Sequence, residues 1–334
     1  MTTDLPVVDP DLVELAASVF ADATDDTLWD TLEQTGLARL AVTEEAGGSG
    51  GTLLDLAAVL VEAGAAAAWA PLAETDIACR LAAAAGLDVP SGPLTFALDA
   101  PLTLDGDTVS GTLPRVPWGR RAAAVVALTG ESVVVLDPAA ATVVEGTNVA
   151  EEPRDTLTWS AAPAAVAAAP EDAATRFALR AALSRSLLLA GAARGALARS
   201  VGYAGEREQF GRPIGRFQAV QQQLALAAAE VAAGGAAAES AARVVVRDGI
   251  ASPTAELAVA SAKVRTGQAA TEVARIAHQV HGAIGFTREH DLRLTTTRLW
   301  AWRDEDGTDG DWAVRIGELT LAAGADGLWP LVTA

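Results

Sequence analysis

Apolar residues recur at every third or fourth position through the first part of the chain, which is the spacing of helices with one buried face. Between residues 10 and 87 this pattern predicts four helices: Asp11–Phe20, Asp26–Gln34, Leu53–Ala65 and Asp76–Ala85. Residues 47–51 form a glycine-rich loop between the second and third helices. Neither Lys-Ser nor Lys-Thr follows the glycines, so the loop is not a phosphate-binding P-loop. A small helical domain is therefore expected at residues 1–89.

The apolar spacing changes to that of β-strands from Pro90 to Trp159. The turn sequences Asp-Gly at 105–106 and Thr-Gly-Glu at 129–131 are strong hairpin signals. Two hairpins are predicted: Leu102–Leu104 with Thr108–Leu113, and Ala122–Leu128 with Ser132–Leu136. The segment Pro114–Gly119 interrupts this region, and its two prolines fit a kink in an edge strand. A β-domain is expected at residues 90–165.

Long helical patterns fill the rest of the chain, residues 166–334. The predicted helices are Ala173–Glu206, Phe217–Arg247, Pro253–Val280, Arg288–Trp302 and Asp311–Ala323. Ser252 is well placed to cap the third of these helices, because Pro253 follows it in the first helical position. Long helices that are joined by short turns form a bundle, so we expect a helical bundle here.

Composition excludes several classes of partner. The chain has 334 residues, and its 43 acidic and 24 basic residues give a net charge of −19, which argues against binding to nucleic acid or to an anionic membrane. The single cysteine, Cys79, can form neither an internal disulfide nor a metal cluster, which fits a reducing cytoplasm. We expect neither a signal peptide nor a membrane span, since no segment has the required basic and apolar pattern.

The segment Tyr203–Gln223 is the part of the chain that is richest in chemical groups. Gly211 and Pro213 predict that one helix ends and a second begins after a turn. The turn carries the guanidinium of Arg207 and the aromatic ring of Phe210, which suit a phosphate and a flat ring. An ordinary helix connection without a ligand is the alternative, since glycine and proline are common in loops.

A second segment, Gln279–Glu289, connects two helices through Gly282 and Gly285. Glycine lets backbone amides approach a ligand closely, and the start of a helix attracts phosphate, although the pattern alone is weak. His278 and His281 are one helical turn apart, but no third ligand accompanies them. A polar helix end is therefore favoured over a metal site, and no metal is predicted.

Together these segments resemble the two flavin motifs of the acyl-CoA dehydrogenase family. The first contains Tyr203, Arg207, Gln209-Phe210-Gly211, Pro213-Ile214 and Phe217-Gln218. The second resembles Gln-x-x-Gly-Gly-x-Gly, with Ala283 in place of one glycine. The resemblance implies an α+β fold with an N-terminal helical domain, a middle β-domain and a C-terminal four-helix bundle. It also implies FAD as cofactor, an acyl-CoA as substrate and an electron-transfer flavoprotein as partner.

The resemblance also implies which residues hold the cofactor. Those that match the family's contacts to the ADP part of FAD are Arg207, Phe210, Gln218, Gln279 and Gly282. In the family these contacts cross a subunit interface, so at least a dimer is expected. The family also carries an aromatic-containing segment near the place of Pro114–Gly119, so Trp118 is a candidate neighbour of the flavin.

The reaction of the family requires a carboxylate base beside the flavin. One family position falls near Ala181, where this chain has no carboxylate. The other lies in a Glu-Gly-Thr triplet, and an ungapped count from Gln279 reaches Asp306-Gly307-Thr308. Asp306 is therefore the candidate base, and Thr308 a further candidate flavin contact. A solvated acidic loop at residues 303–309 is the alternative interpretation.

Two departures from the family change the expected role of the chain. A Gly-Ser-Asp segment that precedes the β-domain in full-length members has no counterpart between Leu87 and Leu98, and the N-terminal domain is truncated. Both features resemble the shorter subunits of heteromeric actinobacterial dehydrogenases that degrade steroids and sterol side chains, in which a longer partner supplies the base. The alternatives are a self-sufficient homo-oligomer that uses Asp306 and a non-catalytic scaffold subunit.

Overall fold

The computed structural model describes residues 6–333, which divide into two compact units. Of these residues, one unit contains residues 6–21, the segment Ala57–Ala68 and residues 182–333. The other contains Asp22–Leu56 and Trp69–Ala181. The division into three domains at residues 89 and 165 stays a prediction.

Within the part of the chain that the structure describes, four α-helices precede the sheet, as the apolar spacing predicts. They are α1 (Pro10–Asp22), α2 (Leu28–Gln34), α3 (Leu53–Ala66) and α4 (Leu72–Ala84). Helix α4 begins four residues before the predicted Asp76, because it starts directly after Pro71. The glycine-rich loop has a fixed backbone: the amides of Gly48, Ser49 and Gly50 donate to the carbonyls of Thr43, Arg39 and Val42.

The strands of the middle region form one sheet. They are β1 (Leu94–Ala97), β2 (Leu102–Asp105), β3 (Thr108–Pro117), β4 (Ala124–Thr129), β5 (Ser132–Leu136), β6 (Thr142–Val144) and β7 (Arg154–Ala168). The strand order is β1-β4-β5-β7-β3-β2, with β6 on β7. Both predicted hairpins, β2–β3 and β4–β5, are present and antiparallel. Strand β1 pairs with β4 in parallel.

Strand β7 is longer than the sequence indicates. It continues nine residues beyond Trp159, the predicted end of the strand region, and passes through Pro163. Residues 154–163 pair with β3, and residues 164–168 pair with β5. The buried Trp159 ring anchors the strand, because its indole N–H donates to the carbonyl of Asp137 at 3.0 Å.

The segment Pro114–Gly119 is a kinked strand end, as the prolines predict. The β3–β7 register shifts between Leu113 and Val116, and Arg115 and Trp118 both have positive φ, 54° and 57°. The Trp118 side chain is buried and packs edge-on against Trp69, with 4.8 Å between the ring centroids. Its proximity to a flavin stays a prediction.

Long helices follow the sheet. They are α5 (Ala173–Glu206), α6 (Gln218–Asp248), α7 (Pro253–His281), α8 (Leu292–Trp302) and α9 (Asp309–Thr333). The prediction for α5 is confirmed at both ends, and Ser252 caps α7 by accepting a hydrogen bond from the amide of Ala255. The predicted start of α8 at Arg288 is wrong, because a 3₁₀ turn and a loop occupy the residues before Leu292. Helix α9 continues past Ala323, with a kink at Gly324.

Small residues let the helices of this unit pack closely. Helix α7 packs against α6, α8 and α9. Where α3 meets α5, the backbones approach so closely that a Cβ on Gly191 would lie 2.1 Å from the carbonyl oxygen of Val61. The high alanine content of the chain therefore reflects close helix packing and does not indicate a low-complexity linker.

Candidate functional site

The first flavin motif forms a helix end, a tight hairpin and a new helix. Two short strands, β8 (Glu208–Gln209) and β9 (Arg212–Pro213), pair in antiparallel fashion after α5. Phe210 and Gly211 form the hairpin tip, both at positive φ, and 91% of the Phe210 surface is exposed. The guanidinium of Arg212 covers the ring of Phe217 at 4.4 Å, which stiffens the entry to α6.

Arg207 and Gln218 lie at the two ends of this turn. Both side chains are exposed, and neither makes a hydrogen bond or an ion pair within residues 6–333. The backbone carbonyl of Arg207 accepts from the amide of Ile214 at 2.8 Å, so its position is fixed while its guanidinium is free. These groups are available to a ligand.

The second motif follows α7 through Gly282, which has φ +65° and ψ −147°. A Cβ at Gly282 would meet no heavy atom within 4 Å, so the backbone borders open space. A Cβ at Gly285, by contrast, would lie 2.9 Å from the Cβ of His281, so only glycine fits there. The exposed Gln279 side chain has no hydrogen-bond partner in the described part of the chain.

Tyr203 joins the two motifs. Its ring stacks on the imidazole of His281, with 4.4 Å between centroids and 21° between planes. Its hydroxyl donates a long hydrogen bond of 3.5 Å to the carbonyl of His281. His290 approaches both rings edge-on, at 5.8 Å from Tyr203 and 4.8 Å from His281. The structure therefore brings the two predicted segments together through the contact of Tyr203 with His281, called the joint below. The sequence did not predict this contact.

Both histidines of α7 are buried and have defined hydrogen bonds. His281 Nδ1 is 2.7 Å from the carbonyl of Ala277, and His278 Nε2 is 3.0 Å from the hydroxyl of Thr296. Burial lowers the pKa of each below its ordinary value. The His278 ring lies between the rings of Phe286 and Trp300, at 4.1 and 5.1 Å. Within residues 6–333 no group of three metal-binding side chains forms.

Asp306 lies in a loop whose side chains are held by neighbouring helices. Its Oδ2 accepts from Arg185 Nε on α5 at 2.7 Å, and Arg185 Nη1 is 3.4 Å from Glu305. Arg185 is only 3% exposed. Asp306 has φ +56°, a conformation that aspartate tolerates better than most residues. Glu305 and Asp306 are therefore paired and largely buried, whereas Asp304 of the same loop is exposed, so only part of the loop is a solvated acidic segment.

Lys263 of α7 binds the backbone of the same loop. It is fully buried, and its ammonium donates to the carbonyls of Arg303 at 2.8 Å and Gly307 at 2.6 Å. Burial lowers the pKa of Lys263 to about 8, while nearby Asp306 acts in the opposite direction. Arg185 and Lys263 interrupt apolar stretches of their helices, and this interruption is the sequence signal that could have identified them.

Thr308 lies at the start of α9. Its amide and its hydroxyl both donate to Asp311 Oδ2, at 2.9 and 2.8 Å, and its hydroxyl oxygen accepts from the amide of Asp311. These bonds lower the pKa of Asp311. The Thr308 side chain thus caps the helix, and its contact with a flavin stays a prediction. The same holds for the predicted roles of the other site residues: Asp306, Arg207, Phe210, Gln218, Gln279 and Gly282.

The groups around the joined motifs fit the ADP part of FAD. An unpaired guanidinium suits a phosphate, and primary amides suit ribose hydroxyls or adenine. The open backbone at Gly282 admits a close approach by a ligand.

Comparisons with known proteins agree with this architecture. A family model described as acyl-CoA dehydrogenase, C-terminal domain, matches residues 172–310. The acyl-CoA dehydrogenase IpdE2 of Mycolicibacterium smegmatis is 32% identical over 283 residues, which are 81% of this chain and 80% of the relative. The chain belongs to the acyl-CoA dehydrogenase family. The predicted family and fold class are therefore confirmed, and family membership makes the chain an oxidoreductase acting on acyl-CoA.

Two solved structures of this family are similar along nearly the whole chain. A variant of the Tcur3481–Tcur3483 steroid ACAD has a TM-score of 0.82 and 28% identity, with 95% of this chain and 98% of that chain covered. The ChsE4–ChsE5 complex from Mycobacterium tuberculosis has a TM-score of 0.84 and 25% identity, with 96% and 99% covered. In residues 6–333 no helix is both long and apolar enough to span a bilayer.

Proposed function

We propose that this acyl-CoA dehydrogenase is one subunit of a heteromeric, FAD-dependent enzyme, in which a second, longer subunit supplies the catalytic base. The observation that carries the proposal is the engagement of Asp306 by Arg185. A base must direct an available carboxylate oxygen at the substrate's α proton. Here Oδ2 of the candidate carboxylate is bonded to a buried guanidinium on the neighbouring helix.

In this proposal the residues of the two motifs hold the cofactor. Arg207 neutralises a phosphate of FAD, while Gln218 and Gln279 bind polar groups of its adenosine end. Phe210 offers an exposed ring at the hairpin tip. Bound FAD would supply the hydride acceptor for the β carbon of the acyl thioester. An electron-transfer flavoprotein would be the redox partner of the complex.

The names of the similar structures support a bulky substrate. One of them is a steroid ACAD with two named components, and the other is a two-component complex. We extend both properties to this chain: the acyl group is steroid-like, and the assembly contains two kinds of subunit.

Co-expression with a longer acyl-CoA dehydrogenase subunit from the same gene cluster tests the proposal. We expect a yellow complex that oxidises acyl-CoA in a dye-linked assay. Asp306→Asn keeps the shape of the side chain and should change kcat by less than about threefold, whereas loss of a true base costs at least about 100-fold. Asp304→Asn, a neutralisation at an exposed position of the same loop, is the matched control.

Other outcomes would identify the alternatives. An active flavoprotein made from this chain alone, inactivated by Asp306→Asn, would establish a homo-oligomer that uses Asp306. A stable complex that never contains FAD, and that assembles equally well with Arg207→Ala, would establish a scaffold subunit.

A further inference from the structure

We propose that Tyr203 and His281 are positioning residues for FAD, and that they hold the two flavin-binding segments side by side only while His281 is neutral. The chain's hold on FAD should therefore weaken in mild acid. This inference rests on the proposed binding of FAD, and it adds a protonation-dependent joint between the two segments that form the site.

The stack of Tyr203 on His281 joins the ends of two helices. Tyr203 lies in the last turn of α5, four residues before Arg207, and His281 is the last residue of α7, next to Gly282. The stacked rings and the bond from the hydroxyl to the His281 carbonyl connect the two segments at this point. A change at His281 therefore displaces the residues that face the ligand on both sides of the joint.

The hydrogen bond of His281 determines its tautomer. The carbonyl of Ala277 can only accept, so His281 Nδ1 must carry the proton and donate it. In the neutral ring Nε2 is then an unprotonated acceptor. This atom is buried and has no hydrogen-bond partner within the described residues. Protonation would create a buried, charged N–H donor without an acceptor, which destabilises the folded arrangement.

The same reasoning applies to the neighbouring His278. The hydroxyl of Thr296 donates to the carbonyl of Leu292, so it accepts from His278 Nε2. The Nδ1 of His278 is then also an unprotonated, buried nitrogen without a partner among residues 6–333. Both rings of the last turn of α7 are thus built to be neutral.

Among the described residues, no group is hydrogen-bonded to His281 Nε2 and could accept a proton placed there. The titratable side chains that face it are His278 on its own helix, Tyr203 on α5 and His290 before α8. The charged residues on the adjacent elements include Arg199, Glu206 and Arg207 at the end of α5, the exposed Arg288 and Glu289 in the turn before α8, Asp291 directly before α8, and Arg293 and Arg298 on α8. None of them makes a hydrogen bond to His281 Nε2.

The direction of the effect follows from linkage. Burial lowers the pKa of His281 below 6.5, the Ala277 carbonyl raises it, and His290 lowers it. When the two segments are separated, His281 is solvated and binds a proton as the pH falls below 6.5. When they are joined, the buried His281 binds it only at lower pH, so the contact between the segments has its full stability only above pH 6.5. One coupled proton weakens FAD binding by up to about tenfold per pH unit until the pKa of the joined state is reached.

The main experiment measures FAD release from the purified flavoprotein between pH 5 and 8 by the fluorescence of the freed cofactor. We expect the dissociation constant to rise below pH 6.5. His281→Asn keeps an N–H near the position of Nδ1 but does not titrate, and it should make this rise clearly smaller. His290→Gln removes the neighbouring half-buried histidine and should leave the rise of the dissociation constant unchanged. An equal rise in His281→Asn and the native protein would overturn the proposal.

A second pair of variants covers the case in which His281→Asn does not fold. Tyr203→Phe keeps the ring and should bind FAD within about threefold of the native protein, since one long neutral hydrogen bond contributes little. Tyr203→Leu removes the stack and should raise the dissociation constant at pH 7.5 by about tenfold. Equal affinities for the two variants would also overturn the proposal.

A measurement without cofactor separates this inference from the proposed function. Hydrogen exchange of the full chain, corrected for intrinsic rates, should show residues 203–217 and 279–290 losing protection together below pH 6.5. If no preparation contains FAD but the two segments still open together, the proposed function fails and the joint stands. If they open independently, the joint is refuted even when FAD is bound.

Discussion

Gly191 offers the sharpest test of how the helical unit is packed. In Gly191→Ala the new Cβ would lie 2.1 Å from the Val61 carbonyl oxygen and 3.0 Å from the amide nitrogen of Ala65. The first distance is well over an ångström short of ordinary contact. Both neighbouring atoms belong to the backbone of α3, so no side-chain rotation relieves the clash. The helices must separate.

The magnitude follows from two opposing terms. Overpacking of a close contact costs about 1–3 kcal/mol, and the upper end applies where backbone must move. Alanine in a helix interior returns about 1 kcal/mol relative to glycine. We therefore expect Gly191→Ala to destabilise the unit by about 2 kcal/mol. Gly202→Ala is the matched control on the same helix, because its Cβ would meet nothing within 4 Å, and it should stabilise by about 0.5–1 kcal/mol.

The assay is urea denaturation of the full chain, followed by the circular dichroism of its helices. The two alanine variants have the same composition, so the difference between their midpoints isolates the packing term. An equal or higher midpoint for Gly191→Ala than for Gly202→Ala would refute the close approach of α3 and α5.

Two further predictions concern buried charges. Lys263→Met should lower the free energy of unfolding at pH 7 by about 1–3 kcal/mol, because two carbonyls lose a charged donor. In the native protein the pKa of Lys263 is about 8 in the folded state and 10.5 in the unfolded state, so stability rises with pH between these values. Urea midpoints measured across this pH range should rise less in the variant than in the native protein. Arg180→Met should cost about 3–5 kcal/mol by the same assay, because Arg180 Nε donates to buried Asp76 at 2.6 Å. Burial raises the pKa of Asp76, but Arg180 and Arg80 together lower it further, and the net effect is a lowered pKa. An unchanged midpoint in Arg180→Met would refute the pairing of Arg180 with Asp76.

Local sequence signals predict the elements of this fold well. The Asp-Gly turn at 105–106 determines a hairpin by its own backbone preference, and Ser252 with Pro253 starts a helix by satisfying its first amides. The exceptions have physical causes. Pro163 suggests a strand end, yet β7 continues through it, because pairing on both sides outweighs the missing amide.

The candidate site was only partly predictable, because its decisive contacts join distant residues. The motif residues are recognisable along the chain, but the stack of Tyr203 on His281 spans 78 positions. The ion pair of Arg185 with Asp306 spans 121 positions. No local pattern specifies such pairs. The count from Gln279 led to the loop that contains Asp306, and the role of this residue stays a prediction. Arg185 on α5, which binds the Asp306 carboxylate, was identified only from the fold.

The long strand β7 also has a consequence for biosynthesis. It pairs with β3, β5 and β6, so the earlier strands of the sheet acquire their shared neighbour only when residues 154–168 are available. A nascent chain emerges from the ribosome at roughly 5–20 residues per second. The edges of those earlier strands are therefore exposed for several seconds during translation, which makes this interval the time at which the growing chain is most open to chaperones and to aggregation.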